Sequence, residues 1–327
     1  MPSPLATATI PPAVREVLSG LTGAGYRAFL VGGGVRDLLR GAAPKDFDVA
    51  TSATPEQVQA CFRRVIPTGI AHGTVTVVVK GTHVEVTTFR TEAEYVDGRR
   101  PSSVAFHTDI TADLSRRDFT INAMAYDPIA DELVDPFGGQ GDLRAELVRC
   151  VGAAAARFGE DGLRALRAVR FATVLQFELD PGTEAAIQPS LSVFRKVAGE
   201  RVQQEFVKIL TAPHVGRGLE LLRRTGLLGV FMPEAVEIAP AQVAAAPPTV
   251  VLRLAVLLAA HTSPRSVVMR LKFSRDEAET VEHLVRHQRL PDGQSSDADL
   301  RRWLAGADPQ HLEALLALNT AVGRDAA

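Results

Sequence analysis

Cysteine is nearly absent from this chain: Cys61 and Cys150 are the only two among 327 residues. They supply neither a disulfide framework nor metal-ligand spacing and read as reduced thiols of a cytosolic protein. Lysine is also scarce, limited to Lys45, Lys80, Lys196, Lys208 and Lys272. Basic charge therefore falls on arginine, as a GC-rich genome would dictate, and arginine also suits bidentate phosphate contacts. Neither sign of charge dominates: 36 basic against 38 acidic residues leave a net charge of −2. That balance argues against strong non-specific nucleic-acid binding but leaves room for a local basic track. No apolar run reaches the roughly 18 residues of a transmembrane helix. Met1 to Pro12 carries no positive stretch ahead of an apolar one, so a secretory signal is not expected. A cytoplasmic location with no membrane partner is the expectation.

What is present is an ordinary globular balance, 46% hydrophobic and 23% charged, in a chain long enough for two or three modules. The first half alternates. Pro12 to Leu21 has helical periodicity, Tyr26 to Val31 is a short apolar strand, and Phe47 to Ala50 is a second. Thr54 and Pro55 mark a helix start. The β-branched runs Thr74 to Val79 and Val84 to Phe89 predict a hairpin turning at Gly81 and Thr82. Beyond about Asp142 the spacing is helical, over Glu160 to Val174, Gly182 to Gln188, Ser190 to Leu210 and Val215 to Leu228. Pro240 to Thr249, rich in Ala and Pro, reads as a loop. The fold class is therefore α+β, a small mixed sheet with helices followed by an all-helical remainder.

Two features of the first half carry chemistry. Gly32, Gly33 and Gly34 lie between a strand and a helical turn, where backbone N–H groups and a helix N-terminus can approach phosphate. The same glycines would also serve packing alone. Asp46 and Asp48 follow; at i and i+2 of a strand they share a face, while Phe47 and Val49 turn to the core. Two such carboxylates repel unless a cation lies between them, and Mg²⁺ takes hard oxygen ligands together with nucleotide phosphates. Glu85, in the apolar run Val84 to Phe89, is either an edge-strand charge or a third acid of that site. As the latter it could also take the proton of an attacking hydroxyl.

Gly33-Gly34, Asp46-Phe47-Asp48 and a strand bearing Glu85 together resemble the polymerase-β-type nucleotidyltransferases. The longer string Gly32 to Gly41 resembles motif A of class II CCA-adding enzymes and bacterial poly(A) polymerases, and Arg116 to Ala123 resembles their motif B. Asp135 to Gly139, Asp142-Leu143 and Arg157 to Asp161 continue the match, which covers roughly residues 25 to 230. The resemblance implies a catalytic head (1–140), a helical neck that reads the base (141–212) and a helical body and tail that hold tRNA (213–327). It implies two Mg²⁺ ions on Asp46 and Asp48, with Glu85 beside them, and nucleotide contacts from Gly33, Gly34, Arg36, Arg117, Asp118 and Asn122.

Glu160-Asp161-Gly162-Leu163-Arg164 resembles the family's amino-acid template for the base. Asp161 and Arg164, expected at i and i+3 of one helix face, would pair with cytosine or adenine and reject uracil and guanine. Glu160 would steady Arg164. Arg167, three residues on, is expected along the nucleotide path, with a structural role equally open, and His72 lies in a turn near the nucleotide.

The activity implied is template-independent addition of the 3′-terminal CCA of tRNA from CTP and ATP. A-adding-only, CC-adding and poly(A)-polymerizing relatives are the alternatives, with small-molecule or protein nucleotidyltransferases further off. Gly69 to Val77 resembles the tRNA enzymes rather than the poly(A) polymerases. The polar stretch Phe89 to Pro101 resembles the mobile loop that CC-adding enzymes lack. The helical C-terminal part is shorter than the resemblance leads one to expect.

Overall fold

The computed structural model describes residues 3–92, 104–291 and 295–323, so residues 93–101 of the expected mobile loop lie outside the described residues. The chain divides into two compact units, Met1–Glu160 with Asp180–Thr183, and Asp161–Leu179 with Glu184–Ala327. The sequence-based boundary at 140 thus falls inside the first unit. The following segment stays with that unit because its side chains are tied there: Asp142 accepts from Thr120 Oγ1 at 2.7 Å, and Arg157 Nη1 donates to the carbonyl of Ser115 at 3.1 Å.

The first unit is built on a seven-stranded mixed sheet. Its strands are β1 (Ala28–Val31), β2 (Asp48–Thr51), β3 (Val65–Gly69), β4 (Thr74–Val79), β5 (Thr82–Thr88), β8 (Ala125–Asp127) and β9 (Glu132–Val134); β6 (Arg90–Glu92) and β7 (Val104–Phe106) form a separate ribbon. The order is β3-β4-β5-β2-β1-β8-β9. Every pairing is antiparallel except that of β2 with β5. Period-two alternation sends Leu30, Val49, Val84 and Val86 to one core and Phe29, Val31 and Ala50 to the other. Helix α1 (Pro12–Gly23) buries Val14, Val17, Leu18 and Leu21 in the first core, and α4 (Ile110–Ser115) buries Ile110 and Leu114 in the second.

The hairpin turns one residue earlier than predicted. Val79 pairs with Thr82, so Lys80 and Gly81 are the turn residues, at φ 48° and 83°. Both central residues take positive φ because that twist matches the flanking strands.

Among its described residues the second unit is helical apart from Glu178–Leu179. Two predicted spans are interrupted. Helix α6 (Ala154–Glu160) stops before Asp161, α7 (Leu163–Leu175) starts after Gly162, and Ser190 to Leu210 breaks between Phe194 and Gly199. At the first break Gly162 packs closely: a Cβ there would lie 2.6 Å from the backbone nitrogen of Phe194. Pro240–Ala245, read as loop, is a short helix, with Pro at its first turn. Arg253 is buried at 3% exposure and donates to the carbonyls of Leu210, Ala212 and Ala246, satisfying groups around the end of helix Gly199–Leu210.

Candidate active site

β1 ends at Val31 and the chain turns through Gly32 into α2 (Gly33–Leu39). Gly32 has φ 72°, a left-handed conformation that favours glycine. A Cβ on it would stand 3.0 Å from Nη1 of Arg117, and one on Gly34 would stand 3.2 Å from the carbonyl oxygen of Asp46. The turn is therefore bare because a guanidinium and the chain before β2 lie close against it.

Asp48 opens β2, and Asp46 lies just before the strand. Since Val49 pairs with Val86 in parallel register, Asp48 runs alongside Glu85, exposed on the same sheet face. Lost hydration and then the charges of Glu85 and Asp46 push the Asp48 carboxyl above its usual range, while Arg117 pulls it down. The sheet has thus gathered three carboxylates and one guanidinium. Among the described residues, no three His, Cys, Asp or Glu side chains can hold a metal ion by themselves. The donor set fits hard cations that draw their remaining ligands from phosphate oxygens and water.

Beside it lies a chain of polar contacts. Arg36 donates from Nε to Asp37 Oδ1 at 2.9 Å and from Nη1 to Asn122 Oδ1 at 2.8 Å. Asn122 Nδ2 donates to Asp118 Oδ1 at 3.3 Å, which also accepts from the amide of Phe119 at 2.9 Å. Arg36, Asn122 and Asp118 are thereby brought together from two stretches some 80 residues apart. His72, in the turn before β4, gives its carbonyl to Arg90.

Sequence reasoning missed Asp113. Its side chain is 1% exposed, with Oδ1 accepting from Arg116 Nη2 at 2.7 Å and Oδ2 from Arg117 Nη2 at 3.0 Å. Burial pushes its carboxyl up, and the two arginines outweigh that and hold it below the usual range. The available signal was spacing, since Asp113 stands three and four residues before the arginines.

In the second unit, Asp161 is not on a helix face with Arg164. It lies before α7, where its Oδ1 accepts from the amide of Leu163 at 3.0 Å. Arg164 is the second residue of α7 and is buried. Asp161 is instead paired with Arg201, a partner that no local spacing reveals. Arg167 and Arg170 converge on buried Glu205, at 3.8 and 2.7 Å, and the Arg170 guanidinium stacks 3.6 Å from the centre of the Phe171 ring. Glu160, at the end of α6 in the first unit, pairs with Arg157.

Comparison with known proteins gives a consistent picture. The family model of the poly A polymerase head domain matches residues 28–149. A second, described as the probable RNA and SrmB-binding site of polymerase A, matches 176–238. The CCA-adding enzyme of Lactobacillus johnsonii is 48% identical over 215 residues, 66% of this chain and 54% of that protein. The CCA-adding enzyme of Geobacillus stearothermophilus is 49% identical over 203 residues, 62% of this chain and 50% of that protein. The chain thus spans about half the length of the curated relatives it matches. The solved structure of the Bacillus stearothermophilus CCA-adding enzyme in complex with CTP superposes with a TM-score of 0.81 at 33% identity, covering 95% of this chain and 78% of that one. The Thermotoga maritima CCA-adding enzyme complexed with tRNA shares the fold at a TM-score of 0.68 and 20% identity, covering 98% of this chain and 85% of that one.

Proposed function

Because the chain belongs to the class II family of tRNA nucleotidyltransferases and poly(A) polymerases, we propose that it adds the 3′-terminal CCA of tRNA from CTP and ATP, releasing pyrophosphate. The observation that carries this reading is the gathering of Asp48, Glu85, Asp46 and Arg117 at the Gly32 turn, the charge distribution that a metal-assisted nucleotidyl transfer needs.

In this reading Asp46 and Asp48 hold Mg²⁺, two ions in all. The metal supplies charge neutralisation at the α-phosphate and the leaving pyrophosphate. Arg117 binds a phosphate of the incoming triphosphate at the bare Gly32–Gly34 turn. Asp118, steadied by Asn122 and through it by Arg36, accepts from the ribose 2′-hydroxyl. Glu85 takes the proton of the attacking 3′-hydroxyl as its oxygen bonds to the α-phosphorus and the bond to the pyrophosphate oxygen breaks. Asp161 accepts from the exocyclic amine of cytosine or adenine, and Arg164 donates to the ring acceptors beside it. Glu160 supports that pair, and Arg167 lines the nucleotide path. Residues 1–140 act as the catalytic head, 141–212 as the base-reading neck and 213–327 as the tRNA-holding body, in a cytoplasmic enzyme.

The test is incorporation of labelled CTP and ATP, with Mg²⁺, into tRNA transcripts ending before CCA, after C and after CC. Two C additions followed by one A are expected. Activity only on CC-ending tRNA with ATP would make the protein an A-adding enzyme. Long A tracts on any RNA would make it a poly(A) polymerase, and silence on every transcript would remove the catalytic reading.

A further inference from the structure

We propose that Asp113 is a positioning residue whose buried carboxylate presets Arg117 for the nucleotide's phosphates; this rests on the nucleotidyltransferase reading and names a determinant within it. The first argument is local geometry. Helix α4 ends at Ser115, and its C-cap is Arg116. Arg117 therefore lies just past the helix. Asp113, on the last turn, reaches it across four residues.

The second argument is how the carboxylate is divided. Oδ1 accepts from Nη2 and Nε of Arg116, at 2.7 and 3.1 Å, and from the amide of Arg90 at 3.3 Å. Oδ2 accepts from Arg117 Nη2 at 3.0 Å. One oxygen thus fastens the carboxylate to the framework, and the other holds the arginine that faces the site. The third argument is how Arg117 is held. Among the described residues no other carboxylate is ion-paired with it, and its buried Nε has no acceptor. Its Nη1 stands 3.0 Å from where a Gly32 Cβ would lie. The guanidinium is thus anchored through one nitrogen and presented through another.

An arginine free to rotate loses that freedom when it clamps phosphate, which weakens binding; an anchored one has lost it beforehand. Burial makes the anchor effective, because a water-exposed carboxylate would be screened and mobile. Asp113 touches neither nucleotide nor metal in this account and acts only through Arg117.

The experiment measures CTP binding to the full chain with Mg²⁺ by titration calorimetry, for the wild type, Asp113→Asn, Arg117→Ala and the double variant, with melting curves for each. Asp113→Asn should weaken CTP binding about tenfold or more, the size of one hydrogen bond to a charged group. Adding Asp113→Asn to Arg117→Ala should cost almost nothing further, because the anchor has nothing left to hold. In CCA addition the single variant should raise KM for CTP more than it lowers kcat. Should Asp113→Asn not fold, Asp113→Glu, which keeps the charge but displaces it by one methylene, carries the same cycle. Losses that multiply in the double variant, or wild-type affinity in a folded Asp113 variant, would overturn the proposal. A wild type that binds no CTP would remove the functional reading itself, and this inference with it.

Discussion

Arg201 grips Asp161 at two points, Nη2 to Oδ2 at 2.7 Å and Nη1 to Oδ1 at 3.2 Å. The carboxylate to which base reading is assigned is therefore not a free surface acid. Its plane is set by a planar guanidinium.

Replacing that guanidinium should disturb selection more than folding. Arg201→Gln is expected to weaken CTP and ATP use about tenfold and to raise the share of UTP misincorporation, because Asp161 loses its fixed orientation. Competition assays with all four nucleotides measure this. Unchanged discrimination with a folded variant would count against the reading.

Asp48→Asn should separate activity from stability. Removing a metal-ligating carboxylate is expected to lower kcat at least about a thousandfold. The melting temperature should hold or rise, since Asp48 is repelled by Glu85 and Asp46. Calorimetric melting without metal, beside a single-turnover assay, tests both parts. A marked fall in melting temperature would show that the carboxylate supports the fold instead.

Gly32→Ala should impair both. The residue stands at φ 72° and ψ −136°, outside the left-handed helical region and open to little but glycine, where a side chain costs about 1–3 kcal/mol, and its new methyl would press on Arg117. A modest drop in melting temperature together with a raised KM for CTP is expected. Intact kinetics would mean that the arginine has room to move aside.

Glu205 governs acid stability in the helical unit. Burial alone would raise its carboxyl pKa, but Arg170, Arg167 and Lys208 outweigh it and hold the value below the usual 4.5. A depressed folded-state pKa stabilises above the unfolded value, and that stabilisation is lost as pH falls through the folded value. Glu205→Gln should cost about 1–3 kcal/mol near neutral pH, because half-buried Arg170 and Arg167 lose a charged hydrogen-bond acceptor. The gap from the wild type should close as the solution is acidified below 4.5. Urea midpoints across that range measure it, and a gap independent of pH would exclude the ionic role.

Much of this site was legible because its signals are local. Gly32 to Gly34 and the strands bearing Asp48 and Glu85 are read from strand alternation and turn chemistry, and the sheet sets Asp48 beside Glu85, whereas Asp46, expected on the same strand, lies before it. Misreadings arose where a neighbour distant in sequence decides. The run Glu160 to Val174 has uninterrupted helical periodicity, yet it breaks at Asp161, whose carboxylate accepts from the amide of Leu163 and is held by Arg201, 40 residues on. The hairpin slipped by one residue because the register between β4 and β5 is set by pairing along their whole length.

The sequence alone determined the fold class and the family, since these rest on periodicities of two and 3.6 residues and on contiguous motifs. Only the tertiary structure decided which charges meet: Asp113 with Arg117, Asp161 with Arg201, and Glu205 with Arg170. The last two pairs lie 40 and 35 residues apart. Burying a carboxylate is favourable only where a cation is brought to it, and that condition is met by packing rather than by spacing along the chain.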